Sequence, residues 1–108
     1  MLWSSVAWAQ GCKQSPEIVA ECFTVHGRLS AYNGAPTFRI WRVGTQRVLG
    51  VAGGESPIMP PELKMQTGFD VDIYGDYEVC PFTPSRPGRM QMVCIESASR
   101  LLQQSKKK

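Results

Sequence analysis

Little in this sequence could serve as a reactive centre. It holds one histidine, His26, and no nucleophile-elbow pattern surrounds Ser4, Ser5 or Ser30, so a hydrolytic triad has no support. None of its four cysteines sits at Cys-x-x-Cys spacing, which removes the usual zinc-ribbon and thioredoxin-like signatures. No apolar run approaches the ~18 residues that a membrane-spanning helix needs, and no internal repeat is present. Charge is also scarce, at 19% of residues, and the formal net charge of +3 comes from the terminal Lys106–Lys108. Without those three lysines the basic residues equal the nine acidic ones. A balanced body lacks the basic footprint of a nucleic-acid binder.

What is present is turn chemistry and β-forming residues. Ten glycines and eight prolines in 108 residues mark frequent reversals, and 43% hydrophobic content is enough for one modest core. From Cys22 the hydrophobic period is two. Phe23, Val25 and Leu29 share one face; Cys22, Thr24, His26 and Arg28 share the other. Asn33-Gly34 follows, the pair best suited to the positive φ of a type I′ hairpin turn. Pro36 cannot donate to a ladder, so the return strand begins at or after Thr37 and runs through Phe38–Val43. Gly44-Thr45 opens a second turn, and Arg47–Val51 forms a third strand. The Gly- and Pro-rich stretch 53–68 is the longest irregular segment, with one helical turn expected over Glu62–Gln66. It crosses the sheet or caps an open end. Two more strands follow, one around Phe69–Phe82 interrupted at Gly75-Asp76, and one over Met90–Glu96. A short amphipathic helix is expected over Ser97–Gln104, and one helical turn over Pro16–Glu21.

The expected fold is therefore all-β with minor helix: a small five-stranded antiparallel barrel, OB-like, with an open β-sandwich as the alternative. The chain divides into residues 1–9, the remnant of a signal peptide or a disordered arm, and a connector at 10–21. A single β domain spans 22–104, and 105–108 form a disordered basic tail. Ala7 and Ala9 give the small-x-small pattern of a signal-peptidase site, and an even cysteine count suits an oxidising compartment. Both favour export, to the periplasm or outside the cell. Ala9 stands where a lipoprotein box has leucine, which disfavours a lipid anchor on Cys12.

Four cysteines admit three pairings, and sequence alone does not choose among them. Strand phase puts Cys80 and Cys94 on the same non-core side of the last hairpin. Cys80–Cys94 is therefore the first pair to expect, and Cys12–Cys22 the remainder. The expected ligand or partner face is on the first three strands, where Arg28, Tyr32, Arg39, Trp41, Arg42 and Arg47 cluster, the first five being the expected contacts. Arginine beside Trp or Tyr suits stacking on a sugar ring and pairing with an anionic group. Met90, Met92, Met59 and Met65 offer adaptable contact surface. No cofactor or metal is expected, since the spacing of Asp70, Asp72 and Asp76 does not match a calcium loop.

As an ordered set, several segments carry a resemblance. They are Cys22–Ser30, Asn33-Gly34, Arg39-Ile40-Trp41, Gly44-Thr45 with Arg47–Val51, Gly75–Pro81 and Met90–Glu96. Together they resemble a group of small, uncharacterised exported bacterial proteins. The resemblance implies export and a bacterial origin, and carries no chemistry. The functional expectation is a non-enzymatic binding or accessory domain that recognises a partner protein or a saccharide-like ligand. Two alternatives come from other classes: a small hydrolase or metal-dependent enzyme using His26 with Asp70 or Asp72, and a purely structural assembly subunit.

Overall fold

A computed structural model of the chain describes residues 11–106; the signal-peptidase pattern at Ala7 and Ala9 lies outside them. Five strands are present: β1 (Phe23–Ala31), β2 (Phe38–Arg42), β3 (Val48–Val51), β4 (Val71–Pro81) and β5 (Gln91–Ser105). A 3₁₀ turn (Cys12–Gln14) precedes them, and one helical turn, α1 (Pro61–Lys64), lies between β3 and β4. The strands hydrogen-bond in the order β1-β2-β3-β5-β4, and β4 pairs back onto β1, so the sheet closes in a ring. Closure leaves no open sandwich.

One pairing differs from the antiparallel expectation. β3 and β5 run parallel, with Leu49 opposite Gln91 and Val51 opposite Val93. The reason is arithmetic: strand directions cannot alternate all the way round a ring of five, so at least one neighbouring pair must be parallel. The 52–70 connection makes this possible by carrying the chain across the sheet from β3 to β4. On the way, α1 sets Leu63, 2% exposed, against the core.

The alternation read from the sequence places the core. Val25 and Leu29 of β1, Ile40 of β2, Leu49 and Val51 of β3, Ile73, Tyr77 and Val79 of β4, and Val93 and Ile95 of β5 fill the ring. Tyr77 is the largest side chain in it, and its hydroxyl donates to the Ile73 carbonyl at 2.6 Å. A buried phenol must hydrogen-bond or lose the solvation it had in water. Burial also pushes its pKa upward, above the ordinary tyrosine range.

Gly27 and Gly75 face each other across β1 and β4, and neither position has room for a side chain. A Cβ on Gly27 would lie 2.4 Å from Ile40 Cγ2 and 2.9 Å from the Trp41 carbonyl oxygen. On Gly75 it would lie 2.6 Å from Leu101 Cδ2 and 3.0 Å from the Ser99 carbonyl oxygen. Gly75 therefore does not break the strand, as the sequence suggested. It lies at a register shift between Tyr74 and Asp76 that bends β4. Across from it, Arg100 takes φ 54 in β5.

Three local expectations change. Residues 97–104, expected as helix, continue β5, because the far half of β4 supplies a ladder for them: Val71 pairs with Ser105 and Tyr74 with Leu102. Asn33-Gly34 lies inside a six-residue loop, 32–37, rather than forming a two-residue turn; Pro36 delays the ladder, which resumes at Ala31 opposite Phe38. Pro16–Glu21 is not helical, and the 3₁₀ turn falls earlier, at Cys12–Gln14.

The cysteine pairing also needs correction. The disulfides are Cys12–Cys94 and Cys22–Cys80. Strand phase was informative: Cys80 and Cys94 are direct partners across β4 and β5, and both are fully buried. Each is taken by a different segment lying over it. The β1–β4 register that sets Phe23 opposite Val79 brings Cys22 beside Cys80. The 3₁₀ turn brings Cys12 over β5, where Glu96 accepts from the Lys13 amide at 2.7 Å.

Candidate functional site

The outer face of β4, β1 and β2 carries two neighbouring cross-strand rows. In the first, Tyr74, Arg28 and Trp41 stand side by side, since Arg28 pairs with Tyr74 on one flank and Trp41 on the other. The Arg28 guanidinium lies over the Trp41 ring, 4.8 Å from its centroid. In the second row, Ser30 lies opposite Arg39 of β2, and its hydroxyl donates to Asp72 Oδ1 at 2.6 Å. Arg39 in turn stacks over Tyr32, 4.5 Å from the centroid, and its Nε donates to the Pro36 carbonyl at 3.0 Å.

The electrostatics centre on Arg28. Burial works against its charge, but the hydroxyls of Tyr74 and Tyr32 and the Asp72 carboxylate outweigh it, and its pKa is raised. Its Nε is buried without a hydrogen-bond partner. On the other side of the pair, Trp41 is fixed by its indole N–H, which donates to the Thr45 carbonyl at 2.7 Å. Lys106 closes the row from the end of β5, 3.6 Å from Asp72 and 5.6 Å from the Tyr32 ring centroid. Beside Tyr32 the face opens into a cleft of about 520 Å³ whose aromatic walls are Tyr32, Phe38 and Phe69, the last 57% exposed.

Four of the five residues picked from the sequence are thus brought together as two stacked pairs, Arg28 with Trp41 and Arg39 with Tyr32. Arg42 is not part of either. It pairs with Gly27 in the opposite strand phase and is exposed at the turn. Sequence reasoning missed Tyr74 and named Asp72 only as a partner for His26; both come from β4, far along the chain. The signal that would have found them is ring closure itself, because only the β4–β1 pairing sets them beside Arg28 and Ser30. The methionines do not make one surface. Met90 and Met92 cover Gly50 of β3, Met59 packs against the core, and Met65 is 84% exposed beyond α1.

Compared with protein-family models, with curated proteins and with solved structures, the chain matches none. Geometry alone carries the reading.

The enzymatic alternative fares differently from its sequence version. His26 Nδ1 lies 3.0 Å from Asp76 Oδ1, not beside Asp70 or Asp72, and Arg100 Nε holds the other Asp76 oxygen at 3.3 Å. Asp72 is taken by Ser30 and Lys106. Among the described residues, one group of three potential metal-ligating side chains converges: Cys12, Cys80 and Cys94, with sulfurs within 4.8 Å of one another. All of them are in disulfides, so they offer no thiolate. The same bond occupies the Cys12 sulfur that a lipid anchor would need. No helix among the described residues is long and apolar enough to cross a membrane.

Proposed function

We propose that this is an exported, non-enzymatic binding domain that recognises a saccharide-like ligand bearing carboxylate groups on the outer face of β1 and β2. The observation that carries the reading is the adjacent pair of arginine–aromatic stacks, Arg28 on Trp41 and Arg39 on Tyr32. A guanidinium over an aromatic ring keeps its charge, and its Nη donors can still pair with a carboxylate. Tyr74 adds a hydroxyl, and Asp72, whose contacts with Ser30 and Lys106 both use Oδ1, adds Oδ2 as an acceptor for sugar hydroxyls. The exposed rings of the Tyr32 cleft suit the apolar faces of pyranoses.

The ring order and the helical turn between β3 and β4 support an OB-like reading of the fold. Such folds bind oligosaccharides and oligonucleotides through strands 2 and 3 and the flanking loops. Two disulfides support an oxidising, exported setting. The test is a glycan array of acidic and neutral glycans probed with the wild type and with Trp41→Ala/Arg39→Ala. Acidic glycans are retained by the wild type and lost by the variant, while the melting temperature stays nearly unchanged. Equal retention by the variant, or no retained glycan, refutes the reading.

A further inference from the structure

At the end of the ring away from the Tyr32 cleft, the β2–β3 turn (43–47) meets the β4–β5 loop (82–90). Between them lies a cleft of about 520 Å³. Its charged lining residues are Arg47, Arg86 and Arg89, and no carboxylate lines it. Elsewhere the chain pairs its charges: Lys13 with Glu78, His26 and Arg100 with Asp76, Lys106 with Asp72. None of the ion pairs among the described residues uses the three cleft arginines.

Two of the three are held together against their own repulsion. Arg86 and Arg89 are bridge partners across the Pro87-Gly88 turn, where Gly88 takes φ 76 and the Arg89 amide donates to the Arg86 carbonyl at 3.2 Å. Like charges directly opposite one another in such a pair are destabilising. The third is aimed by a buried polar side chain. Gln91, only 7% exposed, donates through Nε2 to the Thr83 carbonyl at 3.1 Å, which turns its Oε1 to accept from the Arg47 guanidinium. Arg47 also lies over the Phe23 ring, 5.8 Å from the centroid. Its backbone is fixed as well, with the Arg47 amide donating to Thr45 Oγ1 at 3.0 Å.

We propose that this cleft is a binding site for a tetrahedral oxyanion, a phosphoryl or sulfuryl group. Three arginines lining one cleft with no internal counter-charge suit such a group. Each arginine fork presents parallel N–H donors, and charge-assisted bonds of this kind are the strong ones. The bound anion relieves the Arg86–Arg89 repulsion, which makes the site more than a solvated basic edge. It is distinct from the saccharide face and does not depend on it.

The test uses the full oxidised chain. Inorganic pyrophosphate is titrated into it and followed by amide NMR, and anionic phosphatidylglycerol vesicles are used in a parallel sedimentation assay. Saturable shifts at residues 46–48 and 85–91 are expected. Arg86→Ala/Arg89→Ala weakens binding about tenfold or more, the loss expected for a charge-assisted contact of at least ~1.5 kcal/mol. Arg47→Lys, which keeps the charge and loses the fork, weakens it severalfold. Lys64→Ala, which removes a positive charge from α1 outside the cleft, leaves it unchanged. Without anion, the double variant melts at or above the wild-type temperature. Binding of pyrophosphate alone supports a soluble oxyanion, and vesicle binding lost in the same variant supports a lipid phosphate. Non-saturating shifts spread equally over Arg28, Arg39 and Arg100, or unchanged affinity in Arg86→Ala/Arg89→Ala, overturn the proposal. So does binding to neither probe.

Discussion

Removing either disulfide should be close to the largest single insult this fold can take. The bonds close segments of 82 and 58 residues. In the chain-entropy picture, loops of that size are each worth about 4 kcal/mol, against a total of about 5–15 kcal/mol for a typical domain. The short hairpin loop that a Cys80–Cys94 bond would close is worth about 3 kcal/mol on the same basis. The perturbations are Cys12→Ala/Cys94→Ala and Cys22→Ala/Cys80→Ala, followed by guanidinium denaturation under oxidising conditions. Each double variant should lose about 3–5 kcal/mol, because alanine at buried Cys80 or Cys94 adds a packing loss to the entropic one. The two losses will not add, since the loops overlap. A loss under about 1 kcal/mol in both would show that the ring, not the sulfur, restrains the chain. Peptide mapping gives a sharper check. In Cys12→Ala alone, the freed Cys94 thiolate lies within 4.8 Å of the Cys80 sulfur. Attack there forms Cys80–Cys94 and expels Cys22 as a thiolate, with no net oxidation. A Cys80–Cys94 peptide should therefore appear in that variant and be missing from the wild type. Its presence in the wild type would contradict the structure.

Two further outcomes follow from the core. Tyr77 has a folded pKa above its unfolded value of 10.0, so its share of stability is complete below about pH 10 and is lost as pH rises toward the folded value. Denaturation midpoints should fall above pH 10 in the wild type. They should fall less in Tyr77→Phe, which loses about 1 kcal/mol of hydrogen bonding at neutral pH; an identical alkaline decline would refute the assignment. Gly27→Ala should cost about 1–3 kcal/mol by overpacking against Ile40 and the Trp41 backbone. Gly44→Ala serves as a control with nothing within 4 Å of the added carbon, though at a positive φ of its own. Equal melting temperatures for wild type and Gly27→Ala would show that the ring is looser than described.

Much of the fold was legible because it is local. Alternation in Phe23–Leu29 and Phe38–Ile40 gave two strands and their inward faces, and Pro36 set where the second begins. The parallel β3–β5 pair has no local signature, yet it follows once five strands are required to close. Residues 97–104 misled because Leu101 and Leu102 fit a helical stripe as well as a strand, and the ladder that decides between them lies on distant β4. Cysteine phase gave the right side of the sheet but not the connector lying over it. In the candidate site, Arg28 and Trp41, and Arg39 and Tyr32, were visible as a cluster on the first strands. Tyr74 was not, and Asp72 was read with His26 instead, because closure rather than sequence proximity delivers both to this face. The Arg47, Arg86 and Arg89 cleft was invisible for a related reason, since its loops have no period to read.

The central claim is that the Arg28–Trp41 and Arg39–Tyr32 pairs form a prepared recognition face. It is tested most directly by amide and side-chain NMR of the oxidised wild type titrated with a pool of acidic oligosaccharides. Saturable shifts of the Trp41 indole N–H and of the Arg28 and Arg39 Nε–H signals, with His26 and Arg100 unmoved, are the predicted result. A titration in which those three signals stay still while others shift would contradict it.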